Sequence, residues 1–134
     1  MIRTPRASEV QALVDLWVDA GLKVEPETAA DELTRLLATG TDLVLVLEEG
    51  GEILGTVLGT WDGRRGWIQR LATRPGRRGQ GVGTRLLEEV ERRLEDMGCR
   101  KVNLLIEPDN DGVAAFYERS GYARDDLIFM EKWL

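Results

Sequence analysis

Hydrophobic residues along this chain follow two different periods, which predicts helices in some segments and strands in others. Spacings of three and four residues recur in four segments, and apolar runs typical of strands fill the stretches between them. The predicted helices begin at Ser8, which would form a capping box with Gln11, at Thr28, after the glycine-rich segment 79–83, and after Asn110. The predicted strands are 1–4, 43–47, 53–60, 67–73, 101–106 and 128–133.

Two short polar segments that contain glycine join the middle strands and predict tight turns. They are residues 48–52 and 62–66, each flanked by strand-like apolar residues. The three strands that they connect are therefore expected to form an antiparallel meander. No linker, repeat or low-complexity segment divides the 134 residues, so residues 1–134 are expected to form a single α/β domain.

The segment 77–84, Arg-Arg-Gly-Gln-Gly-Val-Gly-Thr, lies between a predicted strand and the most strongly periodic predicted helix. Glycine lets the backbone approach a ligand closely, because no Cβ intervenes. The amides of the first helical turn point at such a ligand, and the helix dipole favours negative charge there. The segment therefore predicts a pyrophosphate-binding turn, to which Arg77 and Arg78 add positive charge.

The spacing of the glycines distinguishes between different phosphate turns. A P-loop needs a lysine, which is missing between Gly83 and Thr84. A dinucleotide-binding turn needs its last glycine one residue later than Gly83. The spacing of Arg78, Gly81 and Gly83 instead resembles the acetyl-CoA pyrophosphate motif of the GNAT family of N-acetyltransferases. Three glycines could also form a tight strand-to-helix turn that binds no ligand.

A second segment resembles the later signature of the same family. Residues 110–122 contain an asparagine, a short predicted helix that ends in Phe116-Tyr117, and then Gly121-Tyr122 at the family's spacing. Tyr117 alone could be a core aromatic residue, but two signatures in the right order favour the family. The resemblance is greatest to the small bacterial GNAT acetyltransferases of the YpeA type.

The resemblance implies a fold and a co-substrate. The fold is an α/β (α+β) arrangement: a mixed, mostly antiparallel sheet with helices on both faces and a V-shaped splay between strands 67–73 and 101–106. Acetyl-CoA would lie in this splay and pass its acetyl group directly to a primary amine. The residues that the resemblance assigns to acetyl-CoA are Leu71, Ala72, Thr73, Arg78, Gly79, Gln80, Gly81, Val82, Gly83, Thr84, Asn110 and Tyr117.

Two proton transfers accompany such a reaction, and the resemblance assigns one of them. Tyr117 matches the position that protonates the departing thiolate, and a phenol with a pKa near ~10 suits that role. The base that deprotonates the amine stays open. Glu107 is the candidate, Asp109 lies close by, and an ordered water could serve instead.

Composition and charge argue against several other functions. The chain has no histidine and one cysteine, Cys99, which excludes a serine–histidine triad and an internal disulfide and argues against a zinc site. A net charge of −6 argues against nucleic-acid binding. No apolar run approaches the ~20 residues of a membrane span, and residues 1–20 lack the apolar region of a signal peptide. A cytoplasmic protein without a membrane or nucleic-acid partner is therefore expected, either as a monomer or as a homodimer.

The acetyl acceptor is the least determined part of the prediction. Leu105 stands where peptide-acetylating relatives often carry glutamate, which slightly favours a small-molecule amine over a peptide N-terminus. Acidic residues within 25–32 would attract a cationic amine, or would simply form an exposed helix face. Segments 20–40 and 61–66 are expected to cover the acceptor side. Candidate lining residues, which could equally be core, are Trp17, Val24, Trp61 and Trp67.

Two further interpretations stay open at this point. The chain could be a regulatory module that binds CoA without catalysis, although Tyr117 argues against it. It could also transfer a different acyl group, such as succinyl or propionyl. Release of free thiol in the presence of candidate amines distinguishes these interpretations.

Overall fold

The strand-like runs within the first 104 residues pair into one sheet in the computed structural model, which describes residues 1–134 apart from the side chain of Asp111. The first four strands pair antiparallel, and the fifth pairs parallel to the fourth, so the sheet is mixed as predicted. In their spatial order the strands are β1 (Ile2–Arg3), β2 (Val44–Glu49), β3 (Glu52–Trp61), β4 (Gly66–Thr73) and β5 (Val102–Leu104).

Helix α1 (Val10–Asp19) follows a single 3-10 turn at Ala7–Glu9. The predicted capping box of Ser8 and Gln11 is wrong, because Ser8 lies inside that turn. The carboxylate of Glu9 instead accepts a hydrogen bond of 2.8 Å from the Arg6 amide, which closes the start of the turn.

Helix α2 (Pro26–Ala38) begins two residues before the predicted start at Thr28. The Glu25 side chain caps it by accepting a hydrogen bond of 2.8 Å from the Thr28 amide. Pro26 occupies the first helical position, where its missing N–H is not needed. One of the acidic residues of segment 25–32 therefore has a structural role at the helix start.

Helices cover both faces of the sheet. A Cβ added to Gly55 of β3 would lie 2.6 Å from a methyl carbon of Val82 in α3 (Val82–Met97), so α3 packs directly on the β3 backbone. The next residue, Thr56, bonds to Trp17 of α1. Because adjacent strand residues point to opposite faces, α1 and α3 lie on opposite sides. The α1 side holds a buried cluster that includes Leu13, Val14, Leu16, Trp17, Leu33, Val44 and Val46.

Residues Leu105–Leu134 form a second compact unit, smaller than the unit Met1–Leu104. It contains helix α4 (Asp111–Arg119), after which Gly121 adopts a left-handed φ of 97°. The rings of Phe116 and Tyr122 each meet the Tyr117 ring edge-on, with centroids 5.3 and 5.5 Å apart.

Two strand predictions in the C-terminal part of the chain need correction. Strand β5 is shorter than the predicted 101–106, and the predicted strand at 128–133 is wrong, because residues 123–134 form no helix or strand. The side chains of Ile128 and Trp133 are 90% and 92% exposed. An apolar run becomes a strand only by pairing with a neighbour, and the sheet contains no strand from this segment.

Cys99 is buried, and its thiol contacts the Lys101 carbonyl at 3.3 Å. Among the described residues, no helix is both long and apolar enough to cross a bilayer. Within the same part of the chain, no cluster of three or more Cys, Asp or Glu side chains could hold a metal ion.

Candidate active site

The feature that organises the site is a β-bulge in the middle of β4. Thr56 pairs with Ala72, and Leu58 pairs with Gln69, so the single residue between them on β3 opposes two on β4. Those two are Arg70 and Leu71, and Arg70 has a φ of 53°. A non-glycine residue in the left-handed region costs roughly 1–2 kcal/mol, so the surrounding contacts must hold it there.

The bulge turns the side chains of β4 from one face of the sheet to the other. Gly66 and Arg70 are four residues apart, so a regular strand would point both to the same face. A Cβ on Gly66 would lie 3.1 Å from Leu94 of α3. The Arg70 guanidinium instead lies 5.1 Å from the ring centre of Trp17 in α1. Redirecting a side chain in this way is a recurrent use of bulges near functional sites.

Contacts from α1 and β3 hold the bulge in place. The Trp17 indole donates a hydrogen bond of 2.9 Å to the Thr56 hydroxyl, which donates in turn to the Arg70 carbonyl at 2.9 Å. Trp17 is 1% exposed and Thr56 is fully buried, so Trp17 belongs to the core rather than to a lining surface. The Arg70 side chain also donates to the Lys23 carbonyl at 3.4 Å.

Beyond the bulge, β4 extends past its pairing with β5. The last pair of that ladder is Ile68 with Leu104, whereas β4 continues to Thr73. The Arg74 amide donates to the Leu54 carbonyl on β3 at 2.7 Å. Since strand amides alternate in direction, those of Thr73 and Leu71 point to the edge away from β3. An extended ligand could pair with this edge as an added strand.

The glycine-rich turn has the geometry that an anion site requires. Gly79 and Gly81 both have a φ of 80°, and a Cβ built on either would meet nothing within 4 Å. Gly81 is the N-cap of α3 and supplies no capping side chain. The first intrahelical bond runs from the Arg85 amide to the Gly81 carbonyl, so the amides before it lack helical acceptors and can bind a phosphate group. The donor set therefore fits the CoA pyrophosphate.

The basic cluster around the turn is partly neutralised by acidic residues. Arg74 and Arg77 lie 3.6 and 3.9 Å from Glu52, and Arg85 lies 3.1 Å from Glu49. The Arg78 guanidinium instead donates to the Ala20 carbonyl at 3.0 Å. Arg78 therefore contacts a main-chain carbonyl, whereas Arg77 lies next to a carboxylate.

The remaining predicted site residues belong to the second unit. Asn110 is the exposed N-cap of α4, and its side chain makes no capping bond. Its amide donates to the Glu107 carbonyl at 3.0 Å, which orders the turn that carries Glu107. The Glu107 residue is exposed. Asn110 and Glu107 are therefore both exposed close to the start of α4.

Tyr117 is 7% exposed, in contrast to the other predicted site residues of this unit. Burial raises the pKa of its phenol to about 12, because the charged phenolate would lose its hydration. The phenol therefore carries its proton throughout the neutral range. A group in that state can donate a proton but cannot act as a base.

The sequence predictions missed the bulge and the two residues that hold it, Trp17 and Thr56. The neighbouring polar residues Gln69 and Arg70 interrupt the alternation of β4, and this interruption is the signal that could have indicated a bulge. Trp61, a predicted lining candidate, lies next to Gly98 at the C-terminal end of α3, where a Cβ added to Gly98 would be 3.7 Å from the Trp61 ring.

The sequence profile of the acetyltransferase (GNAT) family matches residues 10–122. The chain belongs to the GNAT acetyltransferase family. Like other GNAT members it is an acyltransferase. An acetyltransferase of Pectobacterium atrosepticum is 35% identical to it over 133 residues, which cover 99% of this chain and 94% of the relative.

Solved GNAT structures share the fold of this chain. Glucosamine-6-phosphate N-acetyltransferase of Arabidopsis thaliana has a TM-score of 0.72 at 24% identity and covers 99% of this chain and 97% of its own. Ribosomal-protein-alanine N-acetyltransferase of Brucella melitensis has a TM-score of 0.74 at 21% identity, covering 90% and 83%. By their names these proteins acetylate a sugar amine and a protein, so one GNAT fold serves different acceptors.

Proposed function

We propose that this enzyme transfers the acetyl group of acetyl-CoA directly to the amine of a small molecule. The observation that supports the co-substrate most strongly is the continuity of two features. The unpaired edge of β4 runs without interruption into the turn 74–81, where the left-handed glycines and the uncapped start of α3 are found. A ligand with an extended arm and a pyrophosphate matches that sequence of features.

The order of these features implies a direction for the ligand. The pyrophosphate would bind the amides from Gln80 to Thr84, and the pantetheine arm would pair with Thr73 and then Leu71. The thioester would then lie near the bulge at Arg70, where the ladder between β4 and β5 has ended. The acceptor amine would attack at that point.

The protein's own groups would handle the two protons of the reaction. As the new N–C bond forms and the C–S bond breaks, the amine loses a proton and the thiolate gains one. Tyr117 would supply the second proton, since burial keeps its phenol protonated. Glu107, or a water molecule beside it, would take the first. The family match spans both compact units, which supports a single acetyltransferase domain over residues 1–134.

The preference for a small molecule rests on Leu105. This aliphatic side chain is 61% exposed at the position where peptide-acetylating relatives often carry glutamate, and it cannot accept a proton. The acidic residues within 25–32 are weaker evidence for a cationic amine acceptor than the sequence suggests, because Glu25 caps α2. A protein N-terminus remains the alternative acceptor, and the same experiment decides between the two.

The test is release of free thiol from acetyl-CoA with two matched panels. One contains small primary amines and amino acids, and the other contains short peptides with free N-termini. Acceptor-dependent thiol release with the first panel is the expected result, and propionyl-CoA and succinyl-CoA measure acyl preference. Turnover on peptides alone would contradict the small-molecule proposal. Binding of acetyl-CoA by calorimetry with no thiol release for any acceptor would favour a regulatory module.

A further inference from the structure

The Arg70 side chain has an environment that the fold alone does not explain. The bulge carries it onto the α1 face of the sheet, where it lies over the Trp17 ring and reaches the carbonyl of Lys23. Arg70 is partly buried at this position. Glu32 of α2 acts on it at longer range, and partial burial lowers the pKa of Arg70 by desolvation. The guanidinium stays charged at neutral pH.

The Arg70 charge lies at the end of the path that is proposed for the pantetheine arm. Arg70 directly precedes Leu71, the other residue of the bulge, whose amide is the last that the proposed pantetheine arm would reach. A pantetheine arm running from the turn to Leu71 would place its thioester beside Arg70. The segment after α1 lies next to both arginines, because the carbonyls of Ala20 and Lys23 accept hydrogen bonds from Arg78 and Arg70.

We propose that Arg70 is a specificity-determining residue, and that the acetyl acceptor is an amine that also carries an anionic group, which the Arg70 guanidinium binds. This proposal rests on the proposed function and names its substrate class. A guanidinium offers a planar pair of N–H donors that suits both carboxylate and phosphate. Such contacts orient the acceptor, so that its amine is held near the thioester.

The strained backbone is consistent with this role. A φ of 53° at a residue with a long side chain persists because Thr56 and Trp17 bind the backbone and side chain of Arg70. The position of the guanidinium is thereby fixed before any ligand arrives. A fixed donor pair loses less conformational entropy on binding than a mobile one.

The experiment compares amines in matched pairs that differ in the anionic group. The pairs are β-alanine and ethylamine, glycine and methylamine, and phosphoethanolamine and ethanolamine, so that carboxylate and phosphate are distinguished. Each is measured as kcat/KM for the native chain, Arg70→Gln, Arg70→Lys and the control Arg100→Gln, an exposed arginine between α3 and β5. Thermal melts confirm that each variant is folded.

The native chain and the control should prefer the anionic member of at least one pair. Arg70→Gln should lower that preference at least tenfold, Arg70→Lys should keep part of it, and KM for acetyl-CoA should stay within a few fold. A purely structural role would lower activity on both members equally, and that result would overturn the proposal. So would a native enzyme with no preference in any pair.

Failure of the proposed function gives a different result. If neither these amines nor the peptides of the acceptor panels are acetylated, the transfer reaction is wrong, and binding decides the role of Arg70. Phosphoethanolamine and β-alanine are then titrated calorimetrically into the CoA-saturated native chain and into Arg70→Gln. Weaker binding to the variant supports an anion site at Arg70, and equal binding or no binding to both overturns it.

Discussion

The indole of Trp17 and the hydroxyl of Thr56, 39 residues apart in sequence, are joined by a buried hydrogen bond of 2.9 Å. Thr56 in turn donates to the carbonyl of Arg70 at the β4 bulge. Every polar atom in this chain of contacts is therefore satisfied, and helix α1 is coupled to the strained residue of β4. The bulge is thus held by a core threonine of the neighbouring strand β3.

Thr56→Val should destabilise the protein and disturb the site together. Valine has nearly the same shape, but it leaves the buried Trp17 N–H without an acceptor, which costs roughly 1–3 kcal/mol. Urea unfolding should show a lower midpoint with an unchanged m-value, and kcat/KM should fall as the bulge relaxes. Thr56→Ser keeps the hydroxyl and should retain most of both quantities. If Thr56→Val matches the native chain in stability, the hydrogen-bond chain does not support the bulge.

Gly81→Ala should weaken acetyl-CoA binding beyond its effect on stability. The left-handed φ of 80° costs a non-glycine residue roughly 1–2 kcal/mol, and relief of that strain would move the turn. Gly40→Ala is the matched control, because Gly40 has a φ of 73° with equally open surroundings at the end of α2. Both variants should lose similar stability. Calorimetry should show at least tenfold weaker acetyl-CoA binding, about 1.4 kcal/mol, for Gly81→Ala alone.

Equal affinities of the two glycine variants would contradict the assignment of the turn to the pyrophosphate. Both would then behave as ordinary strained positions in turns. The comparison is informative because the two glycines share the same conformation and differ in where they lie.

Local patterns in the sequence were sufficient to predict the antiparallel meander of β2, β3 and β4 and the helix α3. The turn between β2 and β3 is predicted from Gly50 and Gly51, which have φ angles of 58° and 79° as a tight hairpin needs. Helix α3 is predicted from its apolar stripe, which packs on the glycines of β3 and β4. In each case the information lies within a few neighbouring residues.

Features that depend on distant partners could not be predicted in this way. The side chain of Arg70 is redirected by a bulge that is held by Thr56 and Trp17, and none of these residues is local to another. The strand expected at 128–133 has a suitable apolar pattern, but the pattern does not specify a neighbour with which to pair. The motif residues of the turn were located correctly as a turn and helix start, whereas their ligand is still a proposal.

The ion pair between Arg3 and Glu9 should make stability depend on acidic pH. Hydrogen bonds from Arg3 lower the pKa of Glu9 from 4.5 to about 2, with bonds of 2.9 Å to both carboxylate oxygens. A lowered folded-state pKa means that this stabilisation is present above pH 4.5 and is lost as the pH falls towards 2. Unfolding by urea should show this loss, on the order of 1–3 kcal/mol. Glu9→Gln should flatten the dependence, and an unchanged slope would exclude Glu9 as its source.

Tyr117 should produce a second pH dependence, on the alkaline side. Its phenol has a folded-state pKa of about 12 against an ordinary value of 10.0, because burial disfavours the phenolate. A raised pKa gives stability that is fully present below pH 10 and is lost as the pH rises towards 12. Tyr117→Phe should remove that loss in alkaline unfolding experiments. Persistence of the full alkaline loss in this variant would assign it to other groups.

The same substitution tests the proposed general acid. Tyr117→Phe keeps the ring contacts with Phe116 and Tyr122 and removes only the hydroxyl. General-acid catalysis contributes roughly 10²–10⁴-fold, so kcat should fall by that order while the acetyl-CoA affinity changes little. Tyr122→Phe is the matched control, because it removes the hydroxyl from the adjacent ring, and it should keep kcat within a few fold.

In the native enzyme, activity should rise with pH as the amine deprotonates, with no alkaline decline from Tyr117 below about pH 12. Full kcat in Tyr117→Phe, with chemistry shown to limit the rate, would leave Tyr117 a core aromatic residue.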